Sequence, residues 1–110
     1  MRIVFFGTPA FTLPVLDALV AGADRGWQVV GVITQPDRPA GRSGAMRPPP
    51  VKRASQDRGI PVHQPEGLRD GAGASLLEEL KPDVGVLFSY AQVLPRSMLR
   101  VPPAGILNVH

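Results

Sequence analysis

The chain has 110 residues, of which 44% are hydrophobic and 19% are charged, a composition typical of one globular domain. It contains no cysteine, which excludes disulfides, thiolate zinc sites and a cysteine nucleophile. No apolar run reaches the ~18 residues of a membrane span, and the opening apolar stretch breaks at Gly7 and Pro9, too early for a signal peptide. We therefore expect a cytoplasmic protein without membrane contacts. The net charge of +3 permits contact with phosphates without requiring it.

Strand and helix patterns alternate along the chain. Residues 2–7, RIVFFG, are typical of a strand buried on both faces, and we expect Thr8 to cap a helix that begins at Pro9 and ends at Gly22. The later predicted elements are a strand at 27–34, a helix at 49–59, a strand at 60–64, a helix at 73–81, a strand at 83–89, a helical turn at 95–101 and a strand at 104–109. This alternation predicts an α/β fold with a doubly wound, mostly parallel open sheet.

Ligands of such a fold bind at the carboxyl ends of the strands. Four segments follow predicted strands and should converge there: 7–9, 35–42, 89–95, and the pair Asn108 and His110. The first, Gly7-Thr8-Pro9, lacks the second and third glycines of a dinucleotide-binding turn. An ordinary capped turn and an anion site near Thr8 both remain open for it.

The segment between residues 35 and 50 is much longer than a usual strand-to-helix connection. Five basic residues concentrate in or next to it, with only Asp37 as an opposing charge: Arg38, Arg42, Arg47, Lys52 and Arg53. The segment is either a flexible solvated loop or a loop that contacts phosphates. In the second case, binding should weaken as salt rises.

The stretch LFSYAQVLP, residues 87–95, follows the predicted strand at 83–89. Its backbone groups, with the rings of Phe88 or Tyr90, suit a flat heterocycle, although core filling by Phe88, Val93 and Leu94 explains the same residues. His63 is interpreted as structural or solvent-facing because nothing near it has metal-ligand spacing. We expect no metal site.

Asn108 and His110 end an otherwise apolar strand pattern. Side chains two residues apart share one face of a strand, so both should project together at the binding rim. An amide can stabilise negative charge that develops on oxygen, and an imidazole can move a proton near neutral pH. Acyl or formyl transfer would suit this pair, and a frayed polar terminus is the alternative.

Taken together, these motifs resemble the amino-terminal domain of the methionyl-tRNA formyltransferases, within the larger family of formyltransferases that use 10-formyltetrahydrofolate. The resemblance covers nearly the whole chain and rests on IVFFGTPAF, VVGVITQPDRPAGR, PPPVKRASQDRGIPVHQPEGLR, KPDVGVLFSYAQVLP and GILNVH in that order. The most specific part is QPDRPAGR followed by PVK. Formyltransferases that act on nucleotide sugars or on glycinamide ribonucleotide share the Asn-x-His ending but generally lack this loop.

The resemblance implies a function for each group of residues. Asn108 and His110 would be catalytic, with Asn108 bound to the formyl oxygen and His110 assisting proton transfer. Binding of the folate donor is implied for Phe88, Ser89, Tyr90, Gln92, Val93 and Leu94. Binding of initiator methionyl-tRNA is implied for Gly7, Thr8, Pro9, Arg38, Arg42, Arg47 and Lys52, with Arg42 the first choice. The intact enzyme is expected to be a monomer.

Two departures from the family pattern matter. Ala91 stands where the family usually has glycine, so the turn near the pterin could differ. The family continues after the histidine with a SLLP loop, a catalytic aspartate and a carboxy-terminal tRNA-binding domain, so we expect residues 1–110 to be part of a longer enzyme and inactive alone. The alternatives are a formyltransferase for sugar amines and a non-catalytic module that binds folate or RNA.

Overall fold

A five-stranded sheet forms the centre of the molecule, which we describe from a computed structural model covering residues 1–109. The strands, in chain order, are β1 (Arg2–Gly7), β2 (Gln28–Ile33), β3 (Arg38–Ala40), β4 (Ala45–Arg47), β5 (Val62–His63), β6 (Val84–Phe88) and β7 (Ile106–Asn108). The central sheet has the order β5-β2-β1-β6-β7, and all its neighbouring strands are parallel. Along the chain, β2 and β5 are added on one side of β1, and β6 and β7 are then added on the other side. The predicted doubly wound parallel sheet is thus confirmed, with its switch in strand order between β1 and β6.

Helices cover both faces of this sheet. They are α1 (Leu13–Ala21), α2 (Pro50–Asp57), α3 (Ala72–Leu80) and α4 (Arg96–Leu99), with 3-10 turns at Ala10–Thr12 and Gly22–Arg25. Alternate residues of β1 enter two separate cores. Phe5 is buried with Leu16 of α1 and Val51 of α2, whereas Phe6 is buried with Leu77 of α3. A strand buried on both faces is apolar throughout, which is why β1 is a continuous hydrophobic run.

The start of the first helix differs from the prediction. A 3-10 turn precedes α1, and Thr8 makes no capping bond; its hydroxyl instead donates to the carbonyl oxygen of Tyr90 at 3.1 Å. Because α1 begins only at Leu13, Pro14 lies in its first turn, where the missing N–H leaves no hydrogen bond unmade. The predicted cap at Thr8 is therefore wrong.

The long basic segment is not an irregular loop. It contains an antiparallel hairpin of β3 and β4, in which Arg38 lies opposite Arg47. Gly41 and Gly44 both have positive φ, at +70° and +67°, in the turn between the two strands. We call residues 38–47 the basic hairpin.

The last strand lies at the edge of the central sheet. β7 pairs only with β6 among residues 1–109, and 61% of Leu107 is exposed. In the same range, no helix has both the length and the apolar character needed to cross a membrane.

Candidate functional site

The carboxyl ends of the central strands bring several predicted site residues together. Gly7 is in register with Phe88, and Leu87 with Asn108. Thr8 joins the same rim through its hydrogen bond to Tyr90. His110 lies outside the described residues, so its predicted place beside Asn108 stays a prediction.

A backbone turn at residues 89–94, which we call the rim turn, follows β6. Ser89 and Ala91 have positive φ, at 54° and 76°, a conformation that is costly for residues with a Cβ. Between them, the carbonyl oxygen of Tyr90 accepts hydrogen bonds from the Thr8 hydroxyl and from Nε2 of Gln35, the latter at 2.9 Å. These two bonds hold the strained turn against β1 and the end of β2.

The ring of Tyr90 lies in the core rather than in the site. It is 1% exposed and packs edge-on against Phe6 with 5.7 Å between ring centroids. Its burial raises the pKa of the phenol to about 12. The stacking on a ligand that was considered for this ring is therefore not available to Tyr90, although its main chain belongs to the rim turn.

An exposed aromatic side chain lies beside Phe88. Phe11 is 61% exposed, and its ring meets the half-buried ring of Phe88 at a centroid distance of 5.5 Å. The helical spacing of Phe11 with the later apolar residues 15, 16 and 19 would place it on the buried face of a helix, and its exposure contradicts this expectation. The reason is the 3-10 turn at residues 10–12, which gives Phe11 a different direction from that of an α-helical residue.

A small cleft of about 290 Å³ contains Asn108. Asn108 and Ile106 lie on the same face of β7, and both line the cleft, as strand geometry predicts. We call this the Asn108 cleft; its other lining residues are Leu87, Gln92, Val93, Leu94 and Leu99. Val93 is 92% exposed, so core filling does not account for it. The cleft thus combines apolar walls with two side-chain amides.

The basic hairpin presents three exposed arginines: Arg38, Arg42 and Arg47. Arg38 and Arg47 also line a second cavity, of about 260 Å³, together with Thr8, Gln35, Pro36, Pro48 and Pro49. Among residues 1–109, the ion pair of Arg38 is a long contact of 3.9 Å to the exposed carboxylate of Glu66. Like charges directly opposite in an antiparallel pair are unfavourable, so an anion between these arginines would relieve their repulsion.

Lys52 behaves differently from the arginines. Its Nζ lies 3.2 Å from both carboxylate oxygens of Asp37, and Nε2 of Gln64 donates to the same carboxylate at 2.7 Å. The hydrogen bond from Gln64 and, to a smaller extent, the one from Lys52 lower the pKa of Asp37 below its ordinary value. Lys52 thus anchors the base of the hairpin, a contact that competes with its predicted role in substrate binding.

Gln35 lies in the rim segment predicted at 35–42 but was given no function, and Gln64 was missed because it was assigned to the strand predicted at 60–64. Gln64 directly follows β5 and Gln35 lies two residues after the end of β2, which was the available signal, but uncharged amides carry no distinctive motif. Within residues 1–109, no group of three histidine or acidic side chains could hold a metal ion.

The open parallel sheet with a polar rim at its switch point defines a doubly wound α/β protein, and solved structures of that class are similar to it. Phosphoribosylglycinamide formyltransferase from Bacillus halodurans matches with a TM-score of 0.70 and 21% identity over 100% of this chain and 56% of that one. Glycinamide ribonucleotide transformylase 1 from Symbiobacterium toebii matches with a TM-score of 0.68 and 24% identity over 100% and 51% of the two chains. These likenesses establish the fold.

The family follows from sequence comparison. The Formyl transferase family model matches residues 1–110, and the chain belongs to this family. The methionyl-tRNA formyltransferase of Chloroflexus aggregans is 52% identical over 110 residues, which are 100% of this chain and 35% of that protein. The enzyme of the same name from Bacillus licheniformis is 50% identical over 99% of this chain and 34% of that protein. The chain spans about a third of the length of these curated relatives.

Proposed function

We propose that the protein carrying this chain transfers a formyl group from 10-formyltetrahydrofolate to the α-amine of initiator methionyl-tRNA, acting as a monomer in the cytoplasm. The observation that carries the proposal is the presence, at one rim, of an exposed arginine hairpin beside a small cleft that contains Asn108. A large anionic acceptor and a small donor would need these two surfaces together. The names of the relatives that are about 50% identical support the same reaction.

Asn108 would act on the formyl group. The amine nitrogen attacks the formyl carbon, the carbonyl oxygen gains negative charge, and the bond from that carbon to N10 of the folate then breaks. An amide N–H aimed at this oxygen stabilises the charge as it develops. His110 would move a proton from the attacking nitrogen toward N10, since imidazole exchanges protons near neutral pH.

The donor would bind along the rim turn. Gln92, Val93 and Leu94 line the Asn108 cleft, and their main-chain groups would bind the polar edge of a pterin. Phe88, with Phe11 against it, would supply the aromatic surface beside Ser89. The strain at Ser89 and Ala91 supports a functional reason for this turn, because strained backbone clusters at binding sites.

The acceptor would meet the basic hairpin. Arg42 lies exposed in the turn between the two strands, while Arg38 and Arg47 flank the cavity that reaches Thr8. Since Thr8 lines this cavity, the path of the acceptor from there to the Asn108 cleft would pass Gly7, Thr8 and Pro9. An acceptor stem gripped by the hairpin could therefore extend its terminal amino acid along that path.

A competition between acceptors tests the proposal. The purified protein that carries this chain is given radiolabelled 10-formyltetrahydrofolate with methionyl-tRNA and an amino-sugar nucleotide present together. We expect the label on methionyl-tRNA, with the sugar amine unlabelled. Label on the sugar amine alone would establish the sugar formyltransferase instead, and binding of both ligands without transfer would establish a non-catalytic module.

A further inference from the structure

Gln35 lies between the two halves of the candidate site. On one side it lines the cavity shared with Arg38 and Arg47. On the other, its Oε1 accepts a hydrogen bond of 3.2 Å from Nε2 of Gln92, which lines the Asn108 cleft. A single contact between two side-chain amides thus connects the hairpin cavity with the cleft.

The orientation of the Gln35 side-chain amide is fixed by the main-chain carbonyl of Tyr90. Its Nε2 donates to the main-chain carbonyl of Tyr90 at 2.9 Å, and a carbonyl oxygen only accepts. The amide oxygen is therefore the atom left for Gln92. A glutamate of the same size at position 35 would place a carboxylate oxygen against the Tyr90 carbonyl and would lose this bond.

The main chain of Gln35 is joined to the base of the hairpin. Nε2 of Gln64 donates to the carbonyl oxygen of Gln35 at 3.1 Å and also to the Asp37 carboxylate at 2.7 Å. Asp37 in turn binds Lys52 at the start of α2. A shift of Gln35 would therefore be transmitted to the residues that anchor the hairpin.

The rim turn depends on the same residue. Ser89 and Ala91 keep their positive φ only where surrounding contacts hold them there. The Tyr90 carbonyl between them has two side-chain donors, Gln35 and Thr8. Loss of the Gln35 donor would leave the turn with one of these restraints and let it relax.

We propose that Gln35 is a positioning residue that couples the two halves of the site, so that a folate in the Asn108 cleft favours the hairpin arrangement that binds RNA. This inference rests on the proposed function. Coupling between two binding sites is reciprocal: if the folate strengthens RNA binding by some factor, RNA strengthens folate binding by the same factor. Gln35 needs no contact with either ligand for this role.

The test measures the dissociation constant of tetrahydrofolate with and without saturating uncharged tRNA, at fixed salt, so that no reaction occurs. In the parent we expect the folate to bind at least about fivefold more tightly with tRNA present. In Gln35→Glu the ratio of the two constants should fall to about one. Gln28→Glu, with the same charge change at the exposed opposite end of β2, should keep the parent ratio.

If Gln35 had a merely structural role, its substitution would weaken folate binding equally with and without tRNA, and the ratio of the two dissociation constants would stay unchanged. If Gln35→Glu does not fold, Gln35→Met, which keeps the length of the side chain and removes its hydrogen bonds, should show the same loss. A parent ratio retained in the folded Gln35 variant, or a ratio of one in a parent that binds both ligands, would overturn the coupling alone. Failure of the parent to bind either ligand would overturn the proposed function as well.

Discussion

The basic hairpin and the rim turn adjoin the same rim but are built in opposite ways. The hairpin exposes Arg42 to solvent and is held mainly at its base, by Asp37 and Lys52. The rim turn is short and strained, with the Tyr90 ring buried beneath it and the Tyr90 carbonyl bound twice. One region offers charge with little restraint, and the other offers a fixed backbone with little charge.

This difference matches two kinds of ligand. Phosphate contacts act through charge and tolerate some freedom in the protein, and they weaken with salt. A small heterocycle gives few contacts, so its binding depends on groups that are already in position. We therefore expect the hairpin to bind the polyanionic acceptor and the rim turn to bind the donor, and four predictions test this division.

The largest effect is expected from Asn108→Ala, on the cleft side. Loss of an amide that stabilises a developing oxyanion should lower kcat for tRNA formylation by ~10²–10³-fold. The affinity for tRNA should change little, because Asn108 lines the cleft and not the cavity that Arg38 and Arg47 line. The control is Leu107→Ala, an exposed side chain on the other face of β7, which should keep a near-parent rate. Unchanged kcat in Asn108→Ala would remove this residue from the chemistry.

A smaller effect is expected from Arg42→Ala, on the hairpin side. Removing one phosphate contact should weaken tRNA binding and reduce the slope of log Kd against log salt by about 1. Folate affinity without tRNA should remain that of the parent. Arg100→Ala, an exposed arginine outside the hairpin, serves as the charge-matched control. An equal loss of folate affinity in Arg42→Ala would contradict the division of labour.

Ala91→Gly should relieve backbone strain in the rim turn. Glycine adopts positive φ readily, so the free energy of unfolding should rise by up to about 1 kcal/mol, after allowance for the more flexible unfolded chain. Ala18→Gly, at an exposed position of α1, should instead destabilise by about 0.5–1 kcal/mol. Urea unfolding measures both. A loss of stability in Ala91→Gly would show that the turn is not strained.

The smallest effect concerns pH and the hairpin anchor. Because the pKa of Asp37 is lowered in the folded state, its contribution to stability is present above the ordinary carboxyl pKa and is lost as the pH falls through the lowered value. Asp37→Asn should therefore melt at a lower temperature than the parent from pH 5 to 8, with the two converging in strong acid. A difference that grows on acidification would have the wrong sign.

The central sheet could be predicted because its strands are buried on both faces and therefore read as apolar runs, as in residues 2–7. The hairpin strands could not, because three residues show no periodicity and one of them is Pro39. The position of Phe11 was also missed, since a 3-10 start to a helix leaves no signal in the spacing of apolar residues.

The candidate site was predictable only in outline. Strand ends located Thr8, the rim turn and Asn108, because parallel strands bring their carboxyl ends to one rim. The buried Tyr90 is flanked by Ser89 and Ala91, both with positive φ, a conformation that neither residue type predicts. The link through Gln35 depends on tertiary contacts among segments up to 57 residues apart.

The most direct test of the division of labour is the salt dependence of both ligands on one protein. Dissociation constants of methionyl-tRNA and of tetrahydrofolate are measured between 50 and 300 mM salt. Contacts from the three hairpin arginines predict a slope of log Kd against log salt of about 2 or more for the tRNA, and below about 1 for the folate. Equal slopes for the two ligands would contradict this division of labour, because the hairpin arginines would then contribute no more to tRNA binding than to folate binding.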